Sequence, residues 1–199
     1  VASPGFNFVP VLLGAVLLWD FLIRIMQGVT MAFFEDVWSR NFLNIFATPL
    51  SVSEYVSGLV LSSIATSIIG LAAMLFIAVV FFKLSFLVCG LMIMLFLFVL
   101  FLFGISLGIF GSALVFRFGP ASEWFIWPIP ALISPFVGVL YPVSTLPNWM
   151  QVVSRFLPPS YVFEALRGII SSGTASGITL LWSAVLAAGY IILAYWFFK

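Results

Sequence analysis

One stretch of the chain, GISLG at residues 104–108, matches the G-x-S-x-G pattern of serine hydrolases. In that pattern the serine is a nucleophile on a tight turn between a strand and a helix, and a histidine accepts its proton. The chain has no histidine, and Ser106 lies within a long apolar run. Gly104, Gly108 and Ser112 recur every four residues, so we interpret them as small residues that let two membrane helices approach closely.

Phosphate and metal chemistry are also poorly supported by the sequence. A phosphate-binding loop of the form G-x-x-x-x-G-K-[ST] needs a lysine after a glycine, but Lys83 and Lys199 each follow a phenylalanine. The single cysteine, Cys89, and the lack of histidine exclude a disulfide framework and a centre of Cys and His ligands. No basic run offers a nucleic-acid surface. We therefore expect no catalytic residue, no metal and no directly bound cofactor.

The composition is that of a protein dissolved in lipid. Of the 199 residues, 64% are hydrophobic and 7% are charged, whereas a soluble domain carries about 25% charged residues. A soluble core has no use for so much apolar surface, so the chain is predicted to be an integral membrane protein.

Several runs are long and apolar enough to cross a bilayer as helices, which need about 20 residues each. The predicted spans are residues 8–34, 55–82, 86–116, 123–141 and 178–198. Because the backbone in lipid has to satisfy its own hydrogen bonds, we predict an all-α bundle that forms a single transmembrane domain over residues 1–199. Three basic residues fall on each side of this bundle, so the positive-inside rule does not orient it.

The first predicted span contains charged residues near its middle. Asp20 and Arg24 are four residues apart, so they are expected to pair on one helix face, which Gln27 and Gly28 continue. Ionisable residues within a membrane are costly and often functional. Two explanations remain open: a polar patch on a transport pathway or partner surface, and a pair that locks this helix to a neighbouring helix.

The segment between the first two predicted spans has an amphipathic pattern. On a helix, Trp38, Phe42 and Phe46 recur every four residues along one face. Asp36 and Arg40 lie on another face, in the acid-first i,i+4 order that favours an ion pair. The pattern predicts a helix of about three turns that lies along the membrane surface.

Pro49 ends this predicted helix, which covers residues 35–48. Ser51 or Ser53 is suited to the N-cap of the helix that follows. The pattern alone is equally well explained by a simple connection between two spans.

A second non-spanning segment follows the fourth predicted span. Prolines divide it into two short helices over residues 146–173, with Ser160 as the predicted N-cap of the second. Tyr161, Glu164 and Arg167 lie on that second helix. Glu164 and Arg167 are three residues apart and are expected to pair.

Both non-spanning segments carry a resemblance to a known family. The stretch FFEDVWSRNFLNIFATPLSVSEYV, which starts at Phe33, closely resembles the segment that follows the second membrane helix in ABC-2 type exporter permeases. The stretch LYPVSTLPNWMQVVSRFLPPSYVFEALRG, which starts at Leu140, resembles the signature after the fifth helix of that family. The two matches occur in the right order, and the likeness covers nearly the whole chain.

The resemblance implies that residues 35–48 are a coupling helix, through which a separate cytoplasmic ABC ATPase subunit drives the permease. The implied coupling residues are Glu35, Asp36, Trp38, Arg40, Asn41, Phe42 and Phe46. ATP and Mg²⁺ would be bound by that partner rather than by this chain. Residues 142–177 would lie on the opposite, outer face of the membrane.

The resemblance further implies a dimer of permeases that exports an amphipathic or lipid-linked substrate by alternating access, in the inner membrane of a bacterium. Permeases of this family have six spanning helices, so the first would precede this sequence. An alternative from a different class is an ion-coupled secondary transporter in which Asp20 titrates.

Overall fold

The structure, a computed structural model, describes residues 8–41, 44–45, 47–82, 92–172 and 176–199. Regular structure in these ranges is helical throughout, without a strand, as the all-α prediction required. The α-helices are α1 (Phe8–Trp38), α2 (Val52–Phe82), α3 (Met92–Phe118), α4 (Ile129–Val137), α5 (Asn148–Ser154), α6 (Pro158–Ser172) and α7 (Gly177–Phe198). Two 3₁₀ helices, Pro120–Phe125 and Val143–Thr145, connect them.

Four of the described helices are long and apolar enough to span a membrane. The qualifying stretches are Leu12–Trp38, Val52–Ala73, Met94–Phe118 and Gly177–Phe198. They coincide with four of the five predicted spans, and Cys89 lies outside the described residues.

The prediction of one continuous span over residues 123–141 is wrong. This region contains the end of a 3₁₀ helix and then α4, whose nine residues extend only about 14 Å, against a hydrocarbon thickness of about 30 Å. Pro128 caps α4 at its start and Gly138 ends it with a left-handed φ of 68°. The high hydropathy of this region predicted a span, but hydropathy does not indicate that the helix is interrupted at Pro128 and Gly138.

Among the four long helices, α3 lies against both α1 and α7. The remaining long helix, α2, packs on α1. Phenylalanine fills much of the interior: Phe33, Phe96 and Phe103 are fully buried. Because these side chains are large, each removes much apolar surface from its surroundings and fixes the distance between neighbouring helices.

The two ends of the bundle differ in what is gathered there. At one end, the Phe33 end, the ring of Phe33 contacts those of Tyr55 and Phe198, and Phe198 stacks on Phe116. These contacts join the last turns of α1, α3 and α7 to the first turn of α2.

At the other end, the Phe163 end, α6 lies beside the early part of α1. The ring of Phe163 is 6.1 Å from that of Trp19, and Leu166 packs at Gly14. The segment after α1 and the short helices α5 and α6 are therefore at opposite ends of the bundle.

Candidate functional sites in the helix bundle

The end of α1 is a Schellman motif built around Arg40. The Arg40 N–H donates to the Val37 carbonyl oxygen and the Asn41 N–H to that of Asp36, both at 3.2 Å. Arg40 has a φ of 53°, in the left-handed region that glycine usually occupies at this position. A side chain in this conformation costs about 1–2 kcal/mol.

This motif corrects the prediction of one continuous helix over residues 35–48. The first of these residues are the last turn of α1, and the chain turns at 39–41 before Asn44 and Ile45 return to helical conformation. The predicted coupling residues Phe42 and Phe46 lie outside the described residues.

Asp36 has a different partner from the one that its spacing suggested. The Tyr55 hydroxyl donates to Asp36 Oδ2 at 2.8 Å, so this carboxylate joins α1 to α2 instead of pairing with Arg40. Asp36 lies in the last turn of α1, and Tyr55 lies in the first turn of α2. The hydrogen bond to a charged acceptor is worth about 1.5–3 kcal/mol.

The other coupling residues at this end are accessible. Glu35 and Asn41 are exposed, and Asn41 Oδ1 accepts a hydrogen bond from Asn44 at 3.2 Å. The Trp38 side chain is 52% exposed, with its ring 5.6 Å from that of the buried Phe34. An exposed tryptophan beside carboxylate, amide and guanidinium groups is a surface suited to a protein partner.

Ser51 and Glu54 form a capping box at the start of α2. The Ser51 N–H donates to Glu54 Oε2 at 2.8 Å, the Ser51 hydroxyl donates to the same oxygen, and the Glu54 N–H lies 3.3 Å from Ser51 Oγ. Ser51, one of the two predicted caps, therefore fixes where α2 starts.

Asp20 and Arg24 are paired along α1, with Arg24 Nε donating to Asp20 Oδ2. The Arg24 side chain also crosses α2 at Gly70, where its Cδ would be 3.3 Å from an added Cβ. Gln27 and Gly28 continue the same face into a cavity of about 300 Å³ between α1 and α2. We call this cavity and its walls the α1–α2 groove.

The opposite side of α1 meets α3 in a close apolar seam. A Cβ built on Gly108 would lie 2.6 Å from Val29 Cβ and 2.9 Å from the Met26 carbonyl oxygen. One built on Gly104 would lie 3.0 Å from Ile25. We call this contact the α1–α3 seam.

The two serines of this part of α3 bond within their own helix. Ser112 is fully buried and donates to the Gly108 carbonyl oxygen at 2.9 Å. Ser106 donates to the Phe103 carbonyl oxygen at 2.7 Å. Because Ser106 is inside a helix and not on a strand-to-helix turn, the geometry of a nucleophilic serine is not present there.

Glu164 and Arg167 hold the connection after α4 against α6. Glu164 Oε1 accepts hydrogen bonds from Arg167 Nη2 at 3.0 Å and from the Val143 N–H at 2.7 Å. Arg167 Nη1 reaches the Val139 carbonyl oxygen at 3.4 Å. The predicted pair is present, and it does more than stabilise its own helix, because it fixes residues 139–143.

One detail of the helices α5 and α6 differs from the sequence interpretation. Ser160 is not an N-cap, since α6 already begins at Pro158 and the Ser160 hydroxyl bonds the carbonyl oxygens of Ser154 and Leu157. Tyr161 also ties these helices together, through a hydrogen bond to the Arg155 carbonyl oxygen at 2.8 Å.

Sequence reasoning missed the hydroxyl groups of α2. Ser63 donates across the helix pair to the Ile25 carbonyl oxygen at 2.9 Å, and Ser62, Thr66 and Ser67 line the α1–α2 groove. The signal was available, because the pattern SSIATS inside an apolar helix is typical of polar residues that join membrane helices.

Four long apolar helices, with a non-spanning segment at each end of the bundle, define a polytopic membrane protein. The sequence profile of the family "ABC-2 type transporter" matches residues 3–171. The chain belongs to this family, and it is an integral, multi-pass permease component of an ABC transporter. A search of curated proteins finds no match to the chain.

Proposed function

We propose that this chain is the membrane-spanning subunit of an ATP-driven exporter, and that a separate ATPase subunit docks on the segment from Glu35 to Thr48. The family supports the role of permease. The main support for this docking site is the hydrogen bond between Asp36 and Tyr55. It links the end of α1 to the start of α2, so a partner bound to this segment would contact both helices.

The docking surface combines an exposed aromatic ring with charged and amide groups. Trp38 offers apolar area, and Glu35, Arg40 and Asn41 surround it with hydrogen-bonding groups of both charge signs. Tryptophan and arginine are enriched among the residues that dominate protein interfaces. The left-handed Arg40 turns the chain at this point, so the segment projects away from the axis of α1.

Movement of a docked ATPase would be passed to the bundle through two rigid connections. The Schellman motif fixes the segment to the end of α1, and the Ser51–Glu54 capping box fixes it to the start of α2. The α1–α3 seam has no room for sliding, so we propose that α1 and α3 move as one body while the α1–α2 groove changes shape. Such rigid-body motion is a known basis of alternating access.

The remaining parts of the assembly follow from this role. ATP and Mg²⁺ would be bound by the ATPase subunit, and a second copy of the permease would complete the pathway. The Phe33 end would face the cytoplasm and the Phe163 end the outside. In the inner membrane of a bacterium, such an assembly would move an amphipathic or lipid-linked substrate outward.

Charge reversal on the docking segment tests the proposal. Glu35→Lys and Arg40→Glu, both at exposed positions, should each weaken co-purification of the permease with its ATPase about tenfold or more, because a rim charge of the wrong sign repels the partner. Membrane insertion and yield of the permease should stay unchanged.

Arg155→Glu is the matched control, because Arg155 is exposed at the Phe163 end and should leave ATPase binding intact. If the two variants at the Phe33 end recover as much ATPase as the control, the docking site is not on this segment.

A further inference from the structure

Two basic residues lie where α3 and α7 end, at the Phe33 end of the bundle. Arg117 is in the last turn of α3 and Lys199 directly follows α7, and both residues are exposed. Neither side chain is within ion-pair distance of an Asp or Glu carboxylate in the part of the chain that the structure describes. This end of the α3–α7 pair therefore presents positive charge that the described helices do not neutralise.

A cavity of about 380 Å³ between α3 and α7 lies directly beside these cations. Its main wall residues are Leu107, Phe110, Tyr190, Leu193, Trp196 and Phe197. We call this cavity and its walls the α3–α7 groove. The ring of Phe197 belongs to both features, because it forms part of the wall and the Arg117 guanidinium lies over it, 4.5 Å from the ring centre. The cations are therefore at the mouth of the groove.

The two hydroxyl groups in the walls of the α3–α7 groove already have partners. Ser106 donates to the Phe103 carbonyl oxygen at 2.7 Å, and the Tyr190 hydroxyl donates to the Phe156 carbonyl oxygen at 3.1 Å. A polar ligand in this groove would give up its hydrogen bonds with water and gain few in return, which is unfavourable. The groove is therefore suited to a hydrocarbon chain.

The α3–α7 groove opens to the surroundings of the bundle and runs along the membrane-spanning helices. Leu193 and Trp196, on its rim, are 62% and 74% exposed. From Phe197 to Tyr190 the groove follows α7 for seven residues, which corresponds to about 10 Å along the helix. It thus leads from the end of the helix pair into the hydrocarbon layer, as the acyl chain of a lipid does.

The charge at the mouth of the groove is complementary to a lipid phosphate. The face of the Arg117 guanidinium is on the ring of Phe197, so the N–H groups at its edge can donate to phosphate oxygens. Basic residues at the ends of membrane helices attract anionic lipids. The choline group of a zwitterionic lipid would instead be repelled by Arg117 and Lys199.

The same charge disfavours a second copy of the chain as the occupant of the groove. In a two-fold symmetric dimer the same patch of each copy meets the other. Arg117 and Lys199 of both copies would then approach one another, and the described residues place no carboxylate beside them. A lipid with negative charge relieves this repulsion, whereas a second copy adds to it.

We infer that the α3–α7 groove is a binding site for an anionic phospholipid such as phosphatidylglycerol, whose phosphate pairs with Arg117 and Lys199 while one acyl chain lies in the groove. A lipid bound in this way links the ends of α3 and α7. The site is separate from the docking segment and from the α1–α2 groove, so it does not depend on the proposed function.

Photo-crosslinking tests where the lipid binds. The full chain is placed in phosphatidylcholine nanodiscs that contain a trace of phosphatidylglycerol with a diazirine on one acyl chain. Illumination should attach this lipid mainly to residues 106–110 and 190–197, as mapped by mass spectrometry. Unlabelled phosphatidylglycerol at ten times its apparent dissociation constant should reduce the product about tenfold. Glycerol 3-phosphate, which has the phosphate without the chains, should not compete, and phosphatidylcholine with the same diazirine should show no preference for the groove.

Removal of the cations tests the recognition of the phosphate. Arg117→Gln and Lys199→Gln should each raise the apparent dissociation constant of phosphatidylglycerol about fivefold, and the double variant about 25-fold, as expected for basic residues that meet an anionic lipid. Arg40→Gln is the matched control, because Arg40 is an exposed cation at the same end of the bundle but at the end of α1. It should leave the dissociation constant unchanged.

Three results would overturn the inference. Equal crosslinking of the groove by the two lipids would mean that the charge of the headgroup is not recognised. An unchanged dissociation constant in the double variant would mean that the two cations do not bind the phosphate. A groove that neither lipid labels would mean that protein, such as a second copy of the chain, covers it. None of these results affects the co-purification experiment, so the two proposals fail separately.

Discussion

The two sides of α1 are built on opposite principles. Toward α3, glycine brings the helices so close that a single added methyl group at Gly108 would overlap Val29. Toward α2, the helices meet closely at Gly28 and Ser63 but diverge around a polar cavity. One side is a dry, interlocked contact, and the other is a groove that water or a ligand can enter.

This difference indicates which contact is fixed and which can change. Interdigitated apolar side chains without voids have few alternative arrangements, because every displacement loses contacts or creates overlap. Hydroxyl, amide and guanidinium groups around a cavity can exchange partners at small cost. We therefore expect α1 to carry α3 with it and to move relative to α2, and the following variants test this expectation in order of decreasing effect.

The largest effect is expected from Gly108→Leu in the α1–α3 seam. The new side chain would meet Val29 and the Met26 backbone, so overpacking should destabilise the fold by about 3 kcal/mol. Unfolding in mixed micelles of SDS and a mild detergent measures the change.

Gly189→Leu on α7 is the control, because a Cβ there would meet no atom of another described helix within 4 Å. It should be neutral or slightly stabilising, since glycine is a poor helix former. A neutral Gly108→Leu would show that the seam is not close-packed.

An intermediate effect is expected from the ion pair in the groove. Asp20→Asn leaves Arg24 without its partner and should destabilise the fold by about 2 kcal/mol. Asp20→Asn combined with Arg24→Gln removes both charges and should restore more than half of that loss.

Export measured in the same variants separates the two roles left open for this pair. A double variant that folds well but fails to export would assign the pair to the pathway, and one that exports normally would assign it to packing. Equal destabilisation by the single and double variants would show that the two charges are not coupled.

A smaller effect on stability is expected from Tyr55→Phe, which removes only the hydroxyl that bonds Asp36. The fold should lose about 1.5 kcal/mol. Substrate-stimulated ATPase activity of the assembled complex should fall by a larger proportion than ATPase binding, because α2 is then no longer tied to the docking segment. A Tyr55→Phe complex with unchanged stimulation would contradict this connection.

The smallest effect is expected from Arg40→Gly. Glycine adopts the left-handed conformation without strain, so the fold should gain about 1 kcal/mol. Arg40→Ala keeps the strained backbone and should not show that gain, which separates the backbone effect from loss of the guanidinium. A gain of the same size in both variants would show that the backbone at this position is not strained.

Local features of this molecule were predictable from the sequence, because they depend on residues close together in the chain. The spacing of Asp20 and Arg24 predicts their pairing, and the order of Ser51 and Glu54 predicts a helix start. Four apolar runs gave the four long helices to within about two turns at their ends.

Features that depend on distant residues were not predictable in this way. Tyr55 lies 19 residues from Asp36, and the left-handed turn at Arg40 lies between them. The interruption at Pro128 and Gly138 was hidden by high hydropathy over residues 123–141. The hydrogen bond from Ser63 to the Ile25 carbonyl oxygen required the position of a second helix to be known.

The central claim is that α1 and α3 move as one body while α1 and α2 separate or approach. The measurement is the distance between spin labels by electron double resonance, in the complete complex with its ATPase and a Cys89→Ser background. One label pair replaces Val16 and Phe98 on α1 and α3, and another replaces Val16 and Ile69 on α1 and α2, all exposed positions. Trapping ATP should shift the 16–69 distance and leave the 16–98 distance unchanged. A shift of the 16–98 distance with a constant 16–69 distance would contradict the account.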